Sequence, residues 1–262
     1  MEKRCFSGMI HSNLPDLDAS DNLWRMPNIT QTSYRGWTDP QGLPTQQWFD
    51  ALATAQNPTR KWIQVDHEVW PVGTQTDRQQ TAHKFLTLHH GIKTVRPDLK
   101  VCFYGMPTLR NTWECMSYPS LPGVAQWRAS NNDIGAILAP VLDAYCPSVY
   151  WYYDRATDGD DVNDLFQRYI RKNIEEAQRI RAAYGNPDQP ILPYIWWRRY
   201  GNQKDLDLDI WQDMVRIAYR EGDGFILWGG YGPDVDWNVK KPWWDWLQPR
   251  LPKPHGMLLT EL

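Results

Sequence analysis

Lys61-Trp62-Ile63-Gln64-Val65-Asp66-His67-Glu68-Val69-Trp70-Pro71 is an apolar, strand-forming run that delivers two carboxylates and then stops. Trp62, Ile63, Val65 and Val69 favour extended backbone, and the Pro71-Val72-Gly73 that follows cannot continue a ladder. Asp66 and Glu68 are therefore expected near the C-terminal end of a buried strand. Side chains in a strand alternate, so the two acids point to one side and His67 to the other. Two carboxyls in one small volume repel each other and lose water, and the response of lowest energy is for one of them to keep a proton near neutral pH. A carboxyl protonated at pH 7 is equipped to act as a general acid. Acid pairs two residues apart are also common on exposed strands. This pair differs in setting, because it closes an apolar run and an aromatic, Trp70, follows at once.

Outward from this stretch, helix-like and strand-like segments alternate. Helical periodicity covers residues 45–55 with Thr45 as N-cap, 77–95 with Asp77 as cap and Pro97 as stop, 131–142, 160–184 before Gly185, and 208–220. Strand-like runs cover 101–107, 144–151, 190–196 and 224–229, and a further strand is expected within 6–14. Almost every connection is long enough for a crossover, which implies a parallel sheet covered by helices. The expected fold class is α/β, a TIM-like (β/α) barrel formed as a single catalytic domain over residues 1–262, with an atypical or incomplete N-terminal part, since residues 1–45 read poorly. In such barrels the site lies at the C-terminal ends of the strands. That rule gathers Asp66, Glu68, Tyr104, Tyr150, Tyr194 and Trp228 at one mouth, with Trp70 beside them. Each aromatic alone reads first as packing under a loop, but together with an acid pair they describe a sugar cleft.

Composition narrows the alternatives. The 262 residues carry a net charge of −3, so no basic field exists to hold a nucleic-acid backbone or an anionic bilayer. No apolar run approaches the roughly 20 residues needed to span a membrane, and Met1-Glu2-Lys3-Arg4 is not followed by the apolar core of a signal peptide. A soluble chain of unassigned compartment is the expectation, with secretion left open. The four cysteines lack metal-ligand spacing and read as free thiols, with a disulfide at Cys102 or Cys115 left open. The 16 tryptophans are an unusual number: aromatic faces pack cores, but they also form platforms on which sugar rings stack, so the excess is a weak pointer towards a carbohydrate ligand.

The order of motifs resembles the hyaluronidase family of glycoside hydrolases. The family's acid motif, approximately Asp-x-Glu-x-Trp-x-Pro, is matched by Asp66, Glu68 and Trp70. Tyr104-Gly105-Met106-Pro107, Pro147-Ser148-Val149-Tyr150, Leu192-Pro193-Tyr194 and Gly224 to Trp228 then follow in the family's order. The likeness spans roughly residues 60–230. Two departures stand out: Pro71-Val72 replaces an Arg-Pro after the tryptophan, and the family's disulfide framework is not evident. The resemblance implies retaining hydrolysis of an N-acetylhexosamine-containing polysaccharide, assisted by the substrate's own acetamide and needing no cofactor. Glu68 would be the proton donor and Asp66 would hold the acetamide. Tyr104, Tyr150, Tyr194, Trp70 and Trp228 would line the sugar site.

Two other readings remain open at this point. A catalytically silent sugar-binding barrel would keep the aromatics, but has no need of both acids. A metal-dependent hydrolase could draw on His67, His83, His89 and His90, yet no H-E-x-x-H or H-x-H spacing occurs and His67 is expected to face away from the acids. No metal is therefore assigned.

Overall fold

The computed structural model describes residues 4–7, 24–25, 28–30, 38–40, 42–55, 62–111, 113–116, 122–153, 161–229 and 241–251. Among the described residues there are seven strands, β1 (Arg4–Ser7), β2 (Trp24–Arg25), β3 (Asn28–Thr30), β4 (Trp62–Asp66), β5 (Lys100–Phe103), β6 (Tyr194–Ile195) and β7 (Gly224–Leu227), and six helices, which after β3 alternate with the strands except that two helices lie in succession between β5 and β6. The helices are α1 (Gln46–Ala55), α2 (Gln75–Val95), α3 (Pro122–Leu138), α4 (Val162–Tyr184), α5 (Leu208–Glu221) and α6 (Pro242–Leu247). Every strand pairing is parallel, in a four-stranded sheet ordered β2-β1-β7-β6 and a three-stranded sheet ordered β3-β4-β5. Parallel strands bury both faces, and β4 does so: Trp62, Ile63, Gln64 and Val65 are all buried.

Residues 144–151 were expected as one continuous strand. They instead join the two sheets through isolated parallel bridges, Tyr104↔Cys146, Tyr145↔Ile191, Ser148↔Tyr194 and Trp151↔Arg199. Proline explains the difference. Pro147 lacks an N–H to donate, and Pro190 and Pro193 interrupt the partner run, so β6 shrinks to two residues and the ladder becomes single contacts. The expected closed barrel is thus present as two sheets bridged on one side, and the strand expected within 6–14 appears as β1, with its later part outside the described residues.

The helices pack outside the sheets. In α4, Phe166, Tyr169, Ile170, Ile174, Ala177 and Ile180 recur at helical spacing and are buried. Helix α3 begins nine residues earlier than residue 131, the start that periodicity suggests, because Pro122 suits the first turn and Gln126, Arg128 and Ser130 dilute the apolar stripe. It ends at Leu138 rather than 142, since Pro140 disfavours helical backbone at Ala139. Helix α2 is capped by Thr74 rather than Asp77: the Thr74 hydroxyl accepts from the Asp77 N–H, and the Asp77 carboxylate accepts from the Thr74 N–H.

Indoles tie the C-terminal segment to the sheet. Trp197 and Trp243 stack with centroids 3.9 Å apart and planes 13° from parallel, and the Trp211 indole donates to the Trp243 carbonyl at 3.2 Å. Gly229, just past β7, lies under Trp197 so closely that a Cβ there would stand 1.7 Å from the ring. All four cysteines are buried free thiols. Among the described residues no helix is long and apolar enough to cross a membrane.

Candidate active site

The strand β4 ends at Asp66, and the chain beyond it is pinned to the start of α2. The Thr81 hydroxyl donates to the Pro71 carbonyl at 2.7 Å, and the Arg78 guanidinium donates to the Gly73 carbonyl at 2.9 Å. This turns Glu68 and Trp70 into one wall of a cleft of about 390 Å³, whose other walls include Tyr104, Gly105, Arg110, Trp127 and Ser148. Gly105 makes the turn out of β5 possible, because its backbone adopts a left-handed φ of 64°.

His67, expected to face away from the acids, lines the cleft beside Glu68, whereas Asp66 is not among the lining residues. The His67 ring lies against Trp70, 3.8 Å between ring centroids, with Phe85 at 6.3 Å. Burial, helped by the Lys84 charge, lowers its pKa to about 4, so the imidazole is neutral at pH 7. Asp66 is half-buried and Glu68 is exposed to the cleft. Burial first, and the Glu68 charge second, push the Asp66 carboxyl up from 3.8 to about 7. One acid of the pair does hold a proton near neutrality, as the sequence leads one to expect. The carboxyl that is pushed up is nevertheless the inner one, Asp66, and not the acid that the resemblance makes the proton donor.

The three tyrosines converge beside the acids. Tyr104 meets Tyr150 at 5.8 Å and Tyr194 edge-on at 4.9 Å, and its hydroxyl shares a 2.9 Å hydrogen bond with Ser148. Burial pushes all three phenols well up; beyond that, the charge of Asp66 bears on Tyr150 and Tyr194, and that of Glu68 on Tyr104. Tyr104 lines the cleft, whereas Tyr150 and Tyr194 stand behind it, and the Tyr194 hydroxyl donates to the Gln64 side chain. Trp70 is 92% buried and shows the cleft only a margin of its ring. Trp228 is half-buried against the core and lies outside the walls of this cleft.

Sequence reasoning missed the loop after β5. Asn131 of α3, fully buried, accepts from the Leu109 N–H at 2.8 Å, and the Trp127 indole donates to the Leu109 carbonyl at 2.8 Å. Asn131 in turn donates to Glu176 at 3.0 Å, and Glu176 pairs with Arg179 at 2.7 Å. This chain of buried polar contacts holds Arg110 and Asn111 at the cleft. Its one sequence signal was an Asn on the apolar face of α3. Among the described residues, no three His, Cys, Asp or Glu side chains converge as a metal site would require.

No family model matches the sequence. Pig (Sus scrofa) hyaluronidase-1 is 30% identical over 195 residues, 69% of this chain and 42% of that protein. Human hyaluronidase-1 is 27% identical over 180 residues, 65% of this chain and 39% of that protein. The likeness extends to solved structures: bee venom hyaluronidase superposes with a TM-score of 0.63 at 14% identity, covering 87% of this chain and 91% of that one. The chain is similar to the hyaluronidases. The chain spans about two fifths of the length of these mammalian hyaluronidases, and its fold is hyaluronidase-like, of the TIM-barrel type. A second structure of bee venom hyaluronidase, in complex with a hyaluronic acid tetramer, superposes with a TM-score of 0.60 at 15% identity over 87% of this chain and 90% of that one.

Proposed function

We propose that this chain is the catalytic domain of a retaining endo-glycoside hydrolase that cuts an N-acetylhexosamine-containing polysaccharide, hyaluronan-like in repeat, with the substrate's acetamide as nucleophile. The observation that carries the reading is the graded pair at the end of β4: a half-buried Asp66 with its pKa raised to about 7 beside a Glu68 exposed to the cleft. Glu68, on the open side, reaches the glycosidic oxygen and protonates the leaving group; it later takes a proton from water. Asp66, deeper and among Tyr150 and Tyr194, receives the acetamide N–H and stabilises the positive character that develops as the acetamide oxygen attacks C1. The step needs the pair's one proton on Glu68 and its one charge on Asp66, so in this reading the proton that Asp66 holds in the free chain passes to Glu68 as the acetamide N–H binds Asp66. Acids two residues apart on one strand address neighbouring atoms of one sugar, unlike an inverting pair held ~6.5–9.5 Å apart. The barrel closes, in this reading, where the chain passes from β2, paired to β1, to β3, paired to β4.

Proton NMR of the fresh product tests the proposal. The first product retains its anomeric configuration, and a de-N-acetylated glycan is not cut. An initially inverted anomer, or equal hydrolysis of the de-N-acetylated glycan, overturns it. A sugar-binding protein without turnover would bind the same glycans and release no reducing ends.

A further inference from the structure

Three successive strand-end segments meet beside Glu68 in a contact that the acid pair does not use. Arg110, from the loop after β5, lies with its guanidinium carbon 4.9 Å from the Tyr152 ring centre and 5.2 Å from that of Tyr200. The two rings are themselves 4.7 Å apart. Tyr152 follows the 144–151 segment and Tyr200 follows β6, so the cluster sits on the same mouth as the acids. Among the described residues, two cations line the cleft. Arg78 is paired to Asp133 at 2.9 Å, whereas Arg110 makes no ion pair or hydrogen bond with any of the described residues. Burial pushes the Tyr152 phenol up, the Arg110 charge pulls it down and the Glu68 charge adds to the rise, so these three groups feel one another directly.

A guanidinium laid against aromatic faces loses rotational freedom but keeps its in-plane N–H edge for a planar bidentate acceptor. The loop beneath it is fixed by the buried Asn131 contact, so the edge is aimed before any ligand arrives. Tyr200, 44% exposed, extends the platform with a face on which a sugar ring can stack. We propose that Arg110, braced by Tyr152 and Tyr200, recognises the carboxylate of a hexuronate residue of the bound glycan, next to the sugar on which Glu68 acts, and so selects acidic over neutral N-acetylated chains. This rests on the proposed function for the position of the cut, but the recognition itself is a binding property that can be measured without turnover.

The test compares Arg110→Gln and Arg110→Lys with the parent chain, using an N-acetylated oligosaccharide of alternating hexuronate and the same oligosaccharide with its carboxyls reduced to alcohols. Binding is read calorimetrically in a Glu68→Gln background, and kcat/KM in the Glu68 protein. The parent is expected to prefer the acidic ligand by about 10- to 100-fold, the range of one or two charge-assisted hydrogen bonds. In Arg110→Gln that preference falls towards one and the salt dependence of binding fades. Arg110→Lys keeps the salt dependence but recovers little of the preference, because an ammonium cannot bind bidentately. An equal preference in Arg110→Gln and parent, or equal losses on both ligands, overturns the proposal. If neither ligand is cut, the function proposed above fails while the binding preference still decides the role of Arg110.

Discussion

Replacing Asp66 with Asn gives the sharpest physical test of the acid pair, because it can be read without any substrate. In the folded chain the Asp66 carboxyl titrates at about 7, and in the unfolded chain at its ordinary 3.8. Between those values the folded state holds a proton that the unfolded state has released. Stability from this group is therefore greatest below pH 3.8 and is lost as pH rises through 7. At about 1.4 kcal/mol per tenfold, the whole loss is at most about 4 kcal/mol, an order-of-magnitude figure because the pair titrates together. Asn at this position does not titrate. The difference in unfolding free energy between Asp66→Asn and parent should accordingly shift by up to about 3 kcal/mol in favour of the variant between about pH 4.5 and pH 8, the rest of the loss falling below pH 4.5. Urea titrations at both pH values give the number, and any offset from exchanging an acid for an amide cancels in the difference. Glu68→Gln is the companion measurement. Burial is the larger cause of the Asp66 shift and Glu68 the smaller, so this variant should keep most of the dependence. Parallel stability-versus-pH curves for parent and Asp66→Asn would refute the half-buried, protonated Asp66. Loss of the whole dependence in Glu68→Gln would make charge, not burial, its cause.

Glu68→Gln should lower reducing-end release by at least ~10²–10⁴-fold while leaving glycan binding and the fold largely in place, as measured by calorimetry and circular dichroism. In the parent, kcat/KM should fall on the alkaline side of about pH 7, where the pair gives up its last proton. Asp66→Asn should be severely impaired, and any residual activity should show a shifted pH profile; an unchanged one would separate the two carboxylates. Asn131→Ala should destabilise the chain by ~2–4 kcal/mol, because it strips hydrogen bonds from the Leu109 N–H and from the buried Glu176. It should also raise KM for an acidic glycan, since the loop carrying Arg110 loses its anchor.

What could be read from the chain alone follows from how local each signal is. The run 62–66 declared itself, because a strand buried on both faces is apolar almost throughout and the acids that end it stand out. The stripe of α4 is equally legible, with apolar residues repeating along its 23 residues. Helix α3 was half hidden, since its early turns face the cleft and carry Gln126 and Ser130 where periodicity looks for apolar side chains. The segment 144–151 looked like a strand because propensity counts residues one at a time, whereas a ladder fails at the single missing donor of Pro147. In the site, Asp66, Glu68 and Tyr104 were within reach of strand-end logic. Arg110 was not. Its neighbours Tyr152 and Tyr200 lie 42 and 90 residues further on, and only the meeting of separate loops brings them together. The depth difference between Asp66 and Glu68 was equally invisible, because alternation assigns a side but not a depth.

The face-to-face stack of Trp197 on Trp243 gives this protein an optical gauge of its own. Two indoles held nearly parallel at 3.9 Å couple their ultraviolet transitions, so the pair contributes a circular dichroism couplet that a single buried indole does not. Because Gly229 presses on one ring and α6 carries the other, the couplet registers whether the end of β7 and the C-terminal helix remain seated on each other. A Gly229→Ala substitution, which drives a methyl group into the Trp197 ring, would extinguish that signal while the bulk helical spectrum persists. Detachment of α6 could then be followed on its own during unfolding or glycan binding.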